Sequence, residues 1–246
     1  LMYPHLEEYL AGAKDCAKGI FLTTNGSLLD VKMAAMLGKY LTGINISLHH
    51  PGENVNQSIV GVRVDYKKLK DAIAVFKLSG GTVRINCNLT KTGIHTRKEA
   101  GAMIQLARTL GANSIRFVEL QNCPDQFVSA ADMFDGLHSD PYTQGCTQTL
   151  FTIDGLEISV KLTCGIVNPA REMPEHPEER TGSDMGVLYT DGSVYDGWVK
   201  EGADEPGCHE SCHTQGCHVI RNTDFDTCHP PFRRHRGTLT SMGCHF

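Results

Sequence analysis

No stretch of this 246-residue chain approaches the ~18 consecutive apolar residues that cross a bilayer, so no membrane-spanning helix is expected. No secretory leader is visible either, which places the expected compartment in the cytoplasm. Basic residues are not in excess. With 23 Lys and Arg against 28 Asp and Glu, the formal charge is -5, which argues against nucleic acid or an anionic membrane as the main partner. Hydrophobic residues make up 40% of the chain and charged residues 21%, both ordinary for a globular protein. The length suffices for one sizeable core or one and a half small domains.

Cysteine is plentiful, and unevenly spread. Cys16, Cys87, Cys123, Cys146 and Cys164 stand singly, while five more crowd the stretch from Cys208 to Cys244. Without a leader, reduced thiols or metal ligation are expected rather than a disulfide framework.

Strand and helix patterns alternate through residues 1–121. Leu6, Leu10, Ala13 and Ala17 form a helical stripe that Gly19 is placed to end. A strand over 20–23 runs into the polar tip "TTNG". A helix is then predicted from Ser27, with Leu28, Val31, Ala35 and Tyr40 inward. Strand "GINISLHH" (43–50) leads through a polar loop to helix "DYKKLKDAIAVFKL", with Leu69, Ile73 and Phe76 inward. Strand "GTVRINCNL" is followed by a helix opening at Thr96, with Glu99 completing a capping box, and closing at Gly111. "SIRFVELQ" (114–121) is the fourth strand. Such alternation predicts a parallel sheet with right-handed crossovers, here part of a (β/α) barrel of the TIM type.

Strand parity separates two faces. Asn45, Ser47 and His49 share one side of their strand, and Arg84, Asn86 and Asn88 one side of the next. Glu119 and Gln121 are assigned to the same polar face on the fourth strand. Ile44, Ile46, Leu48, Val83, Ile85, Cys87, Val118 and Leu120 make the opposite, apolar face. Packed inside a barrel, the polar set would cost several kcal/mol unless a polar ligand or water met it. The competing arrangement is a solvated edge of an open sheet.

Beyond residue 122 the pattern changes. "SAADMFDGLHSD" predicts a short helix, and hairpins are predicted around Asp154-Gly155 and Asp191-Gly192. The expected division is a partial barrel over 1–140, a small antiparallel extension over 141–200, and an irregular Cys/His-rich tail over 201–246, metal-binding or disordered.

"TTNG", "INISLH", "VRIN" and "IRFVEL", in that order at four strand ends, resemble the core of radical S-adenosylmethionine (SAM) enzymes. The nearest likeness is to the GTP cyclase of molybdenum-cofactor biosynthesis and to members with an auxiliary cluster of the SPASM/twitch type. The resemblance spans roughly residues 1–121 and fades towards 200. It implies an oxidoreductase in which a 4Fe–4S cluster cleaves SAM to a radical that abstracts hydrogen from a polar small-molecule or peptidyl substrate. A flavodoxin- or ferredoxin-type electron donor is implied as well. The family holds that cluster on C-x3-C-x2-C, a spacing absent from this chain. "LMYPHLEEYL" resembles the segment just after the family's Gly-Gly-Glu-Pro strand, so the chain is expected to be N-terminally incomplete and inactive alone. By the same resemblance, Ser47 and Gln121 contact SAM, the latter where the cyclase has methionine. Thr23 and Arg84 contact substrate, Arg84 standing where the cyclase has lysine.

In the tail, Cys164 before the second hairpin and Cys208, Cys212 and Cys217 after it resemble an auxiliary-cluster ligand order. The cyclase's own C-x2-C, arginine-rich motif and terminal glycine pair are absent. A mixed Cys/His zinc site is the competing assignment, whereas "CHESCH" is one residue too long for haem attachment. Two other functions compete: a non-catalytic metal-binding or interaction module on a degenerate barrel, and a cluster-free barrel lyase or hydrolase using Arg84, Glu119 and the rim histidines His49 and His50.

Overall fold

The computed structural model describes residues 1–15, 17–120, 123–137 and 147–162, and the backbone of 185–188, 194–196 and 218–221. The chain runs from α1 (Leu6–Lys14) into β1 (Gly19–Thr24), then α2 (Val31–Leu37) and β2 (Gly43–Ser47). Two helices, α3 (Glu53–Val60) and α4 (Tyr66–Leu78), precede β3 (Thr82–Leu89), and α5 (Arg97–Leu110) precedes β4 (Ser114–Glu119). β5 (Thr147–Ile153) and β6 (Leu156–Lys161) follow, then the short strands β7 (Met185–Leu188), β8 (Val194–Asp196) and β9 (His218–Arg221).

The strands form one sheet in the order β5-β6-β4-β3-β2-β1-β9-β7-β8. Its centre is parallel, each of β1/β2, β2/β3, β3/β4 and β4/β6 pairing in the same direction. The flanking pairs are antiparallel. The α/β class and parallel centre agree with the alternating sequence pattern, because helical crossovers are what return a chain to the same edge in the same direction.

One face of the sheet carries the hydrophobic core. Ile44, Ile46, Val83, Ile85, Ile115, Phe117, Ile158 and Val160 are at most 1% exposed and pack with the inner stripes of the helices. On α4 those are Leu69, Ile73 and Phe76, as predicted. The Thr96–Glu99 capping box opens α5, and Gly111, in a left-handed conformation, ends it, also as predicted. The Asp154-Gly155 hairpin joins β5 to β6, with both turn residues at positive φ (47° and 81°), the geometry a two-residue Asp-Gly turn requires. The second predicted hairpin is met by the antiparallel pairing of β7 with β8.

Several local expectations are overturned. Gly19 does not cap α1, which ends at Lys14; it opens β1 instead. α2 begins at Val31 rather than Ser27, capped by Asp30, whose side chain accepts from the Met33 N–H at 2.7 Å. Residues 24–27 are consumed by a turn in which Asn25 Oδ1 accepts from the Ser27 N–H, and Gly26 takes φ 81°. The later start rotates the inner face: Ala34 and Leu37 are buried, while Leu28 and Val31 are exposed. α3 occupies the predicted polar loop. It has no apolar stripe to betray it, and its only buried residue is Asn56. The predicted helix after residue 128 is a single 3-10 turn, Ala130–Asp132. The tail, expected to be irregular, supplies β9, which pairs with β1 and β7. Cys123 is disulfide-bonded, against the expectation of reduced thiols, while Cys87 is free and buried.

Candidate functional site

The sheet face opposite the core is polar, and the register shows how its residues line up. Thr23 pairs with Asn45, Asn45 with Arg84, and Arg84 with Ser114, making one row across four strands. Two residues further along each strand, Ser47 pairs with Asn86, Asn86 with Arg116, and Arg116 with Ser159. A third row, nearer the carboxyl ends, runs from Asn88 through Val118 to Lys161. Paired residues on neighbouring strands project to the same side, so these rows form a single surface.

That surface is poorly solvated. Thr23, Asn45, Ser47 and Asn88 are 6–8% exposed and Ser159 1%, while Arg84, Asn86 and Arg116 are half-buried. Thr23 Oγ1 accepts from the Asn45 side-chain amide at 3.3 Å. Ser47 Oγ, Asn86 Oδ1 and Asn88 Oδ1, by contrast, are buried with no hydrogen-bond partner among the described residues. Leaving such an atom unmet costs roughly 1–3 kcal/mol each, so three on two adjacent strands mark a surface that a polar ligand or ordered water completes.

The rim is built by polar contacts that leave its histidines little freedom. His49 donates its N–H to Asn56 Oδ1 at 2.8 Å, and its Nδ1 accepts from the Asn88 N–H at 3.0 Å. The ring is therefore neutral at Nδ1 and carries its proton on Nε2. His50 Nδ1 accepts from the Gly52 N–H, and its carbonyl accepts from the Tyr66 hydroxyl at 2.6 Å. Both histidines stitch β2 to β3, α3 and α4, which is a structural role.

The structure brings Ser47 and Arg84 onto one face with Asn45, Asn86 and Asn88, as parity predicted, and register adds Thr23 to that face. It corrects the fourth strand. Glu119 pairs with Leu89 and shares the core face with Ile115 and Phe117; it is 1% exposed, and its carboxylate accepts from the Ala130 N–H at 3.0 Å. Val118 and Leu120 take the polar side and, though buried, stand outside the continuous core. Arg116 therefore joins the site in place of Glu119. "SIRFVEL" carries one charged residue on each parity, and the pairing Asn86 with Arg116 decides between them. A hydrolytic arrangement of Arg84, Glu119 and the rim histidines is not assembled, because Glu119 faces the other way. Gln121, Cys164, Cys208, Cys212 and Cys217 lie outside the described residues. Among the described residues no cluster of three or more His, Cys, Asp or Glu is arranged to hold a metal ion, and no helix is long and apolar enough to cross a membrane.

Fold and site thus define an α/β protein whose sheet, parallel at its centre, has one core face and one polar face. No protein-family model matches the chain, and no curated protein matches it. Among solved structures it is similar to SuiB of Streptococcus suis, over 66% of this chain and 37% of that one, at 15% identity and a TM-score of 0.45. SuiB bound to precursor peptide SuiA is similar over 56% of this chain and 30% of that one, at 16% identity and a TM-score of 0.41. For SuiB bound to S-adenosylmethionine the shares are 48% and 26%, at 18% identity and a TM-score of 0.38. The chain thus spans between 26% and 37% of the length of the SuiB chains it matches. At these values the likeness carries no statement about activity.

Proposed function

We propose that this chain is the substrate- and SAM-facing portion of a radical SAM-type enzyme, its parallel strands forming part of a (β/α) barrel around the polar face. The observation that carries the reading is the trio of buried, unmet side-chain atoms, Ser47 Oγ, Asn86 Oδ1 and Asn88 Oδ1, at the carboxyl halves of β2 and β3. Ligands of parallel α/β sheets sit at that end. The four strand-tip motifs that resemble the family fall on the same edge.

SAM fits this surface in chemical kind: it carries an ammonium and a carboxylate, and the face offers amide oxygens, a hydroxyl and guanidinium donors. Ser47 and Asn86 would hold it, while Thr23 and Arg84 orient the substrate. SAM would supply the hydrogen-abstracting chemistry. The iron–sulfur cluster is a different case. No C-x3-C-x2-C occurs in the chain, and the described residues offer no cluster of ligands that would fit it. The cysteines from Cys164 to Cys217 are read as ligands of an auxiliary site. Alanine at Cys208 and Cys212 should lower the iron bound after anaerobic reconstitution, and unchanged iron would dispose of that assignment.

Equilibrium dialysis of the chain against SAM tests the central reading. Replacing Ser47→Ala removes one hydrogen bond to a charged ligand and should weaken binding about tenfold. Equal SAM affinity in the wild type and the variant, or none in either, would refute it.

A further inference from the structure

Ser47 and Asn86 are assigned above to SAM, which leaves the third unmet acceptor, Asn88 Oδ1, without an occupant. Asn88 lies two residues beyond Asn86 on β3, about 6.6 Å nearer the carboxyl rim at a rise near 3.3 Å per residue. The residue is 7% exposed. Its side chain is not needed to satisfy its own backbone, because His49 Nδ1 receives the Asn88 N–H at 3.0 Å. Beside it in register stands Val118, and Leu120 follows on the same side of the chain. Both are buried yet outside the continuous core, so an apolar wall flanks the acceptor.

The charges nearby narrow the ligand further. Among the described residues, the paired positions of the second and third rows hold no carboxylate. Their basic members, Arg116 and Lys161, already have partners within the protein. An ammonium group would therefore find no counter-charge beside Asn88. A carboxylate or phosphate would face an amide oxygen, which only accepts hydrogen bonds.

We infer that Asn88 accepts a hydrogen bond from a neutral N–H group of the substrate, carried on an apolar body, and selects that group over charged analogues. This deepens the reading above and rests on its placement of the substrate on this face. Val118 and Leu120 pack against the body, and the N–H satisfies Asn88 Oδ1. Asn88 is thereby a specificity-determining residue. An apolar side chain of similar size would suit the fold at least as well as an unmet buried acceptor, so stability and binding respond differently to its replacement.

NMR titration of the chain at neutral pH with benzamide, benzylamine and benzoate tests the inference, since the three offer an aromatic body with a neutral, a cationic or an anionic group. The wild type should prefer benzamide by at least about fivefold. Asn88→Leu, close in size but without the acceptor, should weaken benzamide about tenfold while the thermal midpoint holds or rises. Asn88→Asp keeps an acceptor and adds a negative charge, so its preference should reverse to benzylamine. That reversal decides the matter where the Leu variant does not fold. Asn54→Leu, the same exchange on the exposed side of α3, should bind like wild type. No preference for benzamide in the wild type, wild-type benzamide affinity in Asn88→Leu, an equal loss in Asn54→Leu, or no reversal in Asn88→Asp would overturn the inference. So would an equal loss of SAM affinity in Asn88→Leu, which would assign Asn88 to the cofactor. SAM binding without selection for benzamide would sink this inference and leave the radical SAM reading standing. Asn88-dependent benzamide binding without SAM binding would sink that reading and leave the N–H subsite.

Discussion

Replacing Gly26 by alanine should be among the costliest single-methyl additions to this protein, and the reason can be divided into two parts. Gly26 sits in the turn between β1 and α2 at φ 81°, where an L-residue costs about 1–2 kcal/mol. A Cβ there would also meet Ile46 Cγ2 at 3.2 Å and Leu69 Cδ1 at 3.3 Å, and both side chains are buried in the core. Overpacking of this kind costs roughly 1–3 kcal/mol. The sum is about 2–5 kcal/mol, or a fall in thermal midpoint of about 4–20 °C for a chain of this size. Two further variants isolate the parts. Gly61, the left-handed cap of α3 at φ 76°, has nothing within 4 Å of the place a methyl group would occupy, so Gly61→Ala should show the backbone cost alone. Gly101 lies within α5 with open space around it and an ordinary helical backbone; Gly101→Ala should stabilise by about 0.5–1 kcal/mol. Urea unfolding of all three, at unchanged m-value, measures the order directly. If Gly26→Ala proves no more destabilising than Gly61→Ala, the close packing of the β1 tip against Ile46 and Leu69 is wrong.

Asn56→Ala should cost about 1–3 kcal/mol in urea unfolding, because it strands the His49 N–H that Asn56 Oδ1 receives at 2.8 Å; a cost below about 0.5 kcal/mol would show that this tether does not hold the rim. Thr96→Ala breaks the capping box of α5 and should cost about 1 kcal/mol, with loss of helical ellipticity confined to a small fraction. Burial acts to raise the Glu99 carboxyl, but hydrogen bonds from the His95 and Thr96 N–H groups, together with the nearby His95 ring, outweigh it and hold the pKa below the usual glutamate value. A depressed carboxylate stabilises the fold above its unfolded pKa, so this contribution should vanish as pH falls through and below the mid-4 range, and Glu99→Gln should flatten that part of the stability–pH curve. Burial also pushes the Cys87 thiol well above its ordinary range, so it should resist a thiol reagent in the native state and react only on unfolding; rapid native labelling at Cys87 would contradict its complete burial.

Long, strongly periodic segments are legible in the sequence alone. The Leu69–Ile73–Phe76 stripe of α4, the Thr96–Glu99 box and Gly111 of α5, and the Asp154-Gly155 turn each rest on local chemistry, namely a 3.6-residue period, a reciprocal cap and a positive φ. Legibility fails where local signals compete. At residues 24–30, the turn built by Thr24, Asn25 and Gly26 captures residues whose apolar spacing suggests helix, and Asp30 rather than Ser27 becomes the cap. α3 leaves no periodic signal because it is attached through Asn56, Glu53 and the neighbouring Tyr66 rather than through an apolar face. β9 consists of four residues whose pairing is entirely with distant strands.

The candidate site divides in the same way. Alternation along β2 and β3 separates Asn45, Ser47, Arg84, Asn86 and Asn88 from their apolar neighbours, since successive side chains must point to opposite sides of a pleated strand. Along β4 the same alternation is ambiguous, with Arg116 on one parity and Glu119 on the other. Hydrogen-bonded register with β3 puts Arg116 beside Asn86 and sends Glu119 into the core, to be satisfied by the Ala130 N–H. Order along the chain carries the period of a strand. Its phase is set only when a neighbouring strand locks against it, because a shift of one residue exchanges the two faces without altering the pattern.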